Sequence, residues 1–233
     1  MTHRAILLLA VLAAAGSACS PRSPAAPPGG SVEPPSLSSE GSESSLPTPE
    51  EYAQRLDDPS RDAWQRPEEV VSLLECPPGG RVVDLGAGTG YFLDLLSQAV
   101  GPEGRVLALD TEPSMVDWMH ERIVREQLRN VQPDTIAPDD PGLTPGSVDR
   151  VLIVNTWHHI EDRVRYGEKL REGLRPSGQV LIVDFTMESP IGPPAAMRLT
   201  IDTVRSELES AGFVTRVLEE TLPHQYAVQG ITR

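Results

Sequence analysis

The chain has little cysteine, little positive charge and no long hydrophobic run, and each shortage excludes a class of protein. Its 233 residues include only two cysteines, so a framework of intramolecular disulfides cannot hold the fold together. Twenty Lys and Arg stand against 34 Asp and Glu, and the net charge of −14 disfavours binding to the phosphates of nucleic acid. The apolar run from Ala5 to Ala15 is well short of the ~20 residues that a membrane span requires. A hydrophobic content of 39% is nevertheless enough for a globular core.

The first nineteen residues have the pattern of an export signal. Arg4 precedes the apolar run, and small residues then lead to Cys19. Small residues directly before a cysteine resemble a bacterial lipobox, although Gly16 stands where that motif usually has Leu. The segment predicts a lipid anchor at Cys19 and a periplasm-facing place in the cell envelope. A plain cleaved signal is the alternative, and without a functional signal the protein would be cytoplasmic.

Residues 20–49 have the composition of a linker. Nine Ser, eight Pro and three Gly occupy this stretch of thirty residues. Such a segment buries too little apolar surface to offset the entropy lost on ordering, so it predicts a disordered tether. The folded domain is therefore expected to comprise residues 50–233.

Short apolar runs alternate with amphipathic segments throughout that domain. This order is typical of an α/β fold with an open, mostly parallel sheet and helices on both faces. Two last strands are expected to be antiparallel at the sheet edge. The predicted strands are 81–85, 105–109, 131–136, 150–154, 179–185, 214–218 and 225–231, and the predicted helices are 91–100, 113–130, 162–174 and 196–211.

A glycine-rich turn follows the first strand. The sequence from Asp84 to Gly90 has the spacing G-x-G-x-G, whereas a dinucleotide fingerprint would need Gly at the position of Tyr91. Asp110 ends the second strand, where it can reach a ligand on this turn. These features resemble motif I and the following acidic residue of the class I S-adenosylmethionine-dependent methyltransferases. Leu174 to Ile182 is similar to the turn and fifth strand of the same family.

The resemblance implies a three-layer Rossmann-like methyltransferase fold, an S-adenosyl-L-methionine cofactor and a set of residues that bind it. It places Asp110 on the ribose hydroxyls, and either Asp139 or Asp140 on the adenine amino group. The Asp139-Asp140-Pro-Gly sequence is equally an ordinary turn. The expected cofactor-binding residues are Asp84, Gly86, Ala87, Gly88, Gly90, Asp110, Thr111, Asp139, Asp140 and Asn155.

His158 and His159 follow the fourth strand, on the side where a methyl acceptor would approach. Either could act as a general base by removing a proton from an oxygen or nitrogen nucleophile, while the other packs at the helix entry. Adjacent histidines diverge and no third ligand is near in sequence, so a metal site is not expected. Asp184 ends the fifth strand and either lines the same pocket or caps a loop.

The segment from Arg61 to Val70 resembles an R-D-x-W-Q-x-P sequence that precedes motif I in a subset of the family. It is expected either to close over the donor or to dock a helix on the sheet.

The acceptor is expected to be a small molecule. No N-P-P-Y or D-P-P-Y sequence follows the fourth strand, which disfavours methylation of nucleic-acid bases or protein glutamine. Cys76 alone cannot supply the thiols of an arsenite methyltransferase. Because the donor is made in the cytoplasm, an exported domain could instead be a noncatalytic ligand-binding lipoprotein that has kept the fold. A NAD-dependent oxidoreductase is the remaining alternative, and Tyr91 argues against it.

Overall fold

The computed structural model describes residues 48–233. The predicted signal, the lipid-anchor residue Cys19 and nearly all of the predicted tether lie outside the described residues and stay predictions. The first described helix begins at Pro49.

Seven strands form one sheet. They are β1 (Arg81–Leu85), β2 (Arg105–Asp110), β3 (Val131–Thr135), β4 (Val148–Val154), β5 (Leu174–Phe185), β6 (Val214–Val217) and β7 (Gln225–Ile231). Their order across the sheet is β3-β2-β1-β4-β5-β7-β6. Strands β1 to β5 run parallel to one another, whereas β7 is antiparallel to both β5 and β6. The expected α/β fold is confirmed, and the reversed strand β7 lies between β5 and the edge strand β6.

Helices cover both faces of the sheet and give the three expected layers. They are α1 (Pro49–Leu56), α2 (Asp62–Gln65), α3 (Pro67–Leu73), α4 (Leu93–Val100), α5 (Pro113–Glu126), α6 (Arg163–Gly173) and α7 (Ile201–Ser210). Alternate residues of a strand point to opposite faces, so Val82 packs with α3, α4 and α5 while Val83 packs with α6 and α7. Among residues 48–233, no helix combines the length and the apolar character that a membrane crossing demands.

The helix expected over residues 196–211 is shorter than its pattern indicated. A 3₁₀ turn at Ala195–Met197 is followed by extended backbone at Arg198, and α7 begins only at Ile201. Thr200 caps α7 by accepting a hydrogen bond from the Thr203 amide at 3.1 Å. The Arg198 guanidinium donates to five backbone carbonyls of the loop after β5, which holds this connection outside the helix.

Candidate functional site

The glycine turn lies between β1 and α4, at the carboxyl ends of the parallel strands. Gly86 has a φ of +73°, and a side chain there would overlap Thr156, so both backbone conformation and space require glycine. Gly90 packs against Leu93 and Met119 instead. The turn therefore brings backbone close to the space above β1 and β4.

Asp110 is joined directly to this turn because β1 and β2 are neighbours in the sheet. Its Oδ2 accepts the Gly88 amide at 2.8 Å and its Oδ1 accepts the Glu112 amide at 3.0 Å. The residue is 9% exposed. Each carboxylate oxygen keeps a lone pair for a ligand hydroxyl.

A cavity of about 480 Å³ opens at this edge of the sheet, and we call it the main cavity. It brings together Gly86, Asp110, Thr111 and Asn155 from the predicted set. Ala87, Gly88 and Asp84 lie instead on a smaller adjoining space of about 120 Å³, the inner cavity. The two share Leu56, Gly86, Asn155 and Thr156, so they adjoin one another, whereas Gly90 lines neither.

Two buried groups of opposite charge line the inner cavity. Asp84 is 3% exposed and Arg61 is 8% exposed. Neither the Oδ2 of Asp84 nor the Nε of Arg61 has a hydrogen-bond partner among the described residues. Burial, and secondly the charge of Asp110, raises the pKa of Asp84 to about 7, while Arg61 opposes the change. Unsatisfied buried polar atoms are costly, so this cavity is suited to a ligand that carries both charges.

The Arg61 guanidinium is held from several sides. It stacks on Tyr91 with 3.8 Å between the guanidinium carbon and the ring centre. Its Nη1 donates to the Leu56 carbonyl at 2.7 Å and its Nη2 to the Gln65 Oε1 at 3.2 Å. The segment from Arg61 to Val70 thus supplies a residue to the inner cavity as well as the docking helix α3.

Asn155 belongs to a network of buried amides. It has a φ of +54°, and its Oδ1 accepts a hydrogen bond from Gln225 Nε2 at 2.7 Å. Gln65 in turn donates to Gln225 Oε1 at 2.7 Å. This network joins the segment before β1 to β4 and β7.

The two histidines have different surroundings in the structure. The side chain of His158 is 2% exposed, its Nδ1 lies 2.9 Å from Asp184 Oδ2, and neither residue lines any of the cavities described here. His159 lines the main cavity. Burial, and secondly His158, lowers the pKa of His159, against the charge of Asp184, so the imidazole is neutral at pH 7. Within residues 48–233, no three His, Cys, Asp or Glu side chains are grouped so that they could hold a metal ion.

Asp139 and Asp140 do not line the main cavity. Asp139 lines a second cavity of about 390 Å³ that shares Pro138, His159, Ile160 and Tyr166 with the main one. Asp140 pairs with Lys169 at 3.0 Å on the outer side. The role of either aspartate at the adenine therefore stays a prediction, and this geometry does not favour it.

Sequence reasoning missed Leu56, Gln65 and Gln225. Gln65 and Gln225 are 160 positions apart. No local pattern marks such a contact, because it exists only once the sheet has formed. Leu56 precedes Asp57, whose carboxylate accepts hydrogen bonds from Thr89 Oγ1 at 2.8 Å and Arg122 Nη1 at 3.0 Å. These bonds tie the end of α1 to the glycine turn.

Comparison with known proteins shows which families this chain is similar to. The model of the Methyltransferase domain family matches residues 83–180. The chain is 27% identical over 147 residues to an arsenite methyltransferase of Halobacterium salinarum, covering 58% of this chain and 38% of that protein. It is 30% identical over 135 residues to a protein-L-isoaspartate O-methyltransferase of Aeropyrum pernix, covering 57% of this chain and 46% of that protein.

A solved structure extends the likeness over most of the domain. The crystal structure of a SAM-dependent methyltransferase from Aquifex aeolicus has a TM-score of 0.75 and 28% identity, covering 81% of this chain and all of that one. The chain spans less than half the length of the two curated relatives above. By the matched region and these likenesses, residues 83–180 of the chain resemble the Methyltransferase domain family, and the fold is that of the Rossmann-like S-adenosylmethionine-dependent methyltransferases.

Proposed function

We propose that this chain transfers a methyl group from S-adenosylmethionine to a small-molecule acceptor. The Arg61 Nε and the Asp84 Oδ2 support the proposal most directly, because they have no hydrogen-bond partner within residues 48–233 and their residues line one small cavity that adjoins the cavity of Asp110. The donor has a carboxylate and an ammonium at one end and a ribose diol in its middle. Arg61 would hold the carboxylate, Asp84 the ammonium and Asp110 the ribose hydroxyls.

When bound, the donor supplies a sulfonium methyl carbon that is open to in-line attack. The chain must align an acceptor with that carbon and exclude water. His159 is neutral and lines the main cavity, so it is the histidine suited to accept a proton from an oxygen or nitrogen acceptor. It lines both the main and the second cavity. His158, paired with Asp184, positions the turn that carries His159.

The proposal of a small-molecule acceptor rests on the net charge of the chain and on the cysteine content of the domain. The net charge of −14 disfavours nucleic acid. Cys76 is the free cysteine of the described residues, and burial raises its pKa to about 11, so it is a poor thiolate. The acceptors named for the two curated relatives are arsenite and protein isoaspartate, and neither is carried over to this chain. A small organic acceptor remains.

Isothermal titration of the full chain with S-adenosylmethionine, S-adenosylhomocysteine and NAD tests the proposal. Binding of the first two, with transfer of labelled methyl to an added small-molecule pool, is the expected result. Binding without transfer to any acceptor tested would favour the noncatalytic alternative. Preferential binding of NAD would favour an oxidoreductase and overturn the proposal.

Donor affinity should rise with pH through about 7. Asp84 has a pKa raised to about 7 from 3.8, and only its ionised form attracts the donor ammonium. The free energy of unfolding of the ligand-free chain should change in the opposite direction to donor affinity. The raised pKa of Asp84 contributes stability that is fully present below pH about 3.8, its ordinary pKa, and that is lost as the pH rises through about 7. The shift in melting temperature caused by S-adenosylhomocysteine should therefore grow between pH 5.5 and 8.5.

Asp84→Asn is the matched variant for this pH dependence. Its ligand-induced shift should be smaller and flat across the same range, because the amide does not titrate. An unchanged slope in a folded Asp84→Asn variant would assign the dependence to another group.

We further propose that the chain is held at the bacterial envelope by lipid at Cys19. The Arg4 start, the apolar run from Ala5 and the small residues before Cys19 support this location. From the linker composition of residues 20–49 we expect a root-mean-square reach of about 30 Å, at ~5–6 Å × √n for n residues, which would hold the domain clear of the membrane.

Cys19→Ser should release the protein from the membrane fraction or leave its signal unprocessed, because the lipid attaches to that sulfur. Cell fractionation and mass spectrometry of the mature N-terminus measure this. Cys76→Ser is the control and should fractionate as wild type. An unmodified wild-type chain that begins at Met1 in the cytoplasm would refute the anchor.

A further inference from the structure

Tyr166 is a buried side chain for whose hydroxyl residues 48–233 supply no hydrogen-bond partner. The residue lies in α6 and is 3% exposed. Tyr226, which is equally buried, donates its hydroxyl to the Leu199 carbonyl at 3.0 Å, whereas the Tyr166 hydroxyl makes no hydrogen bond to the described residues. Tyr166 lines both the main and the second cavity, and its hydroxyl is not sealed inside the protein. The hydroxyl is therefore open to a ligand in that space.

The position of Tyr166 relative to the charged groups indicates which part of a ligand it meets. Arg61 and Asp84 line the inner cavity, and Asp110 lies where the main cavity meets the glycine turn. Tyr166 lines the part of the main cavity that the inner cavity does not share. A donor held by its amino-acid end and its ribose would extend its base into this part.

The walls there suit a flat ring. Ile136 and Pro138 follow β3, and Ile160 follows the turn after β4, so apolar side chains come from two loops. A purine ring between apolar walls loses its hydration and needs a polar partner at its edge. Asp139 and Asp140 do not line the main cavity, which leaves Thr111, His159 and Tyr166 as the polar side chains of this part besides Asp110; Thr111 and His159 are exposed, whereas Tyr166 is buried.

We propose that the Tyr166 hydroxyl forms the hydrogen bond that recognises the adenine edge of the donor. This inference rests on the proposed function. Burial, followed by the charges of Asp140 and Asp139, raises the pKa of Tyr166, so the hydroxyl stays protonated. It can donate to a ring nitrogen or accept from the exocyclic amine. Tyr166 is thus a specificity-determining residue that no local motif marks.

Tyr166→Phe in the full chain tests this assignment by titration with S-adenosylhomocysteine. We expect affinity to fall about 3- to 10-fold, the usual range for one neutral hydrogen bond. S-ribosylhomocysteine, which lacks the base, should bind wild type and the variant equally. Because the hydroxyl has no partner among residues 48–233, the melting temperature of the ligand-free variant should not fall.

Tyr226→Phe is the matched control. It removes a hydrogen bond that the chain uses, so its melting temperature should fall while its affinity for S-adenosylhomocysteine stays at the wild-type value. His159→Gln tests the neighbouring polar group. This variant should still bind S-adenosylhomocysteine, which carries the base, more tightly than S-ribosylhomocysteine.

Three results would overturn the assignment of Tyr166. One is equal affinity of wild type and Tyr166→Phe for S-adenosylhomocysteine, and another is an equal loss with S-ribosylhomocysteine. The third is that His159→Gln, and not Tyr166→Phe, loses the preference for S-adenosylhomocysteine over S-ribosylhomocysteine. Failure of the wild-type chain to bind S-adenosylhomocysteine would instead contradict the proposed function, so the two failures are distinguishable.

Discussion

Replacing Asp110 by Ala should weaken binding of S-adenosylmethionine to the full chain by about 1–3 kcal/mol, the usual cost of leaving polar partners unpaired, which is roughly 5- to 150-fold in Kd. The carboxylate holds the Gly88 amide at 2.8 Å and keeps lone pairs for the ribose hydroxyls. The alanine variant loses both the ligand contacts and the bond that shapes the glycine turn. Isothermal titration measures the effect.

Two further variants separate these contributions. Asp110→Asn keeps an acceptor for Gly88 but loses the charge, so its affinity should lie between those of wild type and Asp110→Ala. Asp202→Ala is the control, because the Asp202 side chain is 93% exposed and lines none of the described cavities; it should bind as wild type. Unchanged donor affinity in a folded Asp110→Ala variant would contradict the assignment.

The sheet and the centre of the site were predictable because short local patterns determine them. Buried parallel strands are continuous apolar runs, and their alternation with helices leaves few possible topologies. The glycine turn and Asp110 each follow such a strand, and neighbouring parallel strands bring their carboxyl ends together. Leu85 and Leu109 are partners in the register, so Gly86 and Asp110 had to be close.

The rest of the site depends on contacts that form only in the folded chain. The sequence places His158 and His159 side by side, but only the packing of Asp184 against His158 leaves His159 to face the cavity. Asp139 and Asp140 follow β3 as expected, yet the loop directs Asp140 to Lys169. Arg61 lies before the first strand, and nothing in its neighbourhood indicates that its Nε lacks a partner beside Asp84.

Replacing Arg61 should weaken binding of ligands that carry the amino-acid end of the donor and leave binding of ligands without it nearly unchanged. In Arg61→Met, affinity for S-adenosylhomocysteine should fall by about 10- to 150-fold, since a hydrogen bond to a charged group is worth roughly 1.5–3 kcal/mol. The affinity for 5′-methylthioadenosine, which lacks the amino-acid part, should change by less than about 3-fold. Titration of the full chain with both ligands gives the comparison.

The controls address the other contacts of Arg61. Its guanidinium also supports the Leu56 carbonyl and Gln65, so Arg61→Met could loosen the whole cavity. In that case both ligands would lose affinity together, and the assignment of Arg61 to the carboxylate would be wrong. Arg61→Lys keeps the positive charge without the planar fork, so it should recover part of the affinity for S-adenosylhomocysteine. If Arg61→Met loses affinity for S-adenosylhomocysteine only, and Arg61→Lys partly restores it, a cation is required at the amino-acid end of the donor. In the proposed binding mode, Asp84 supplies the opposite charge there for the ammonium.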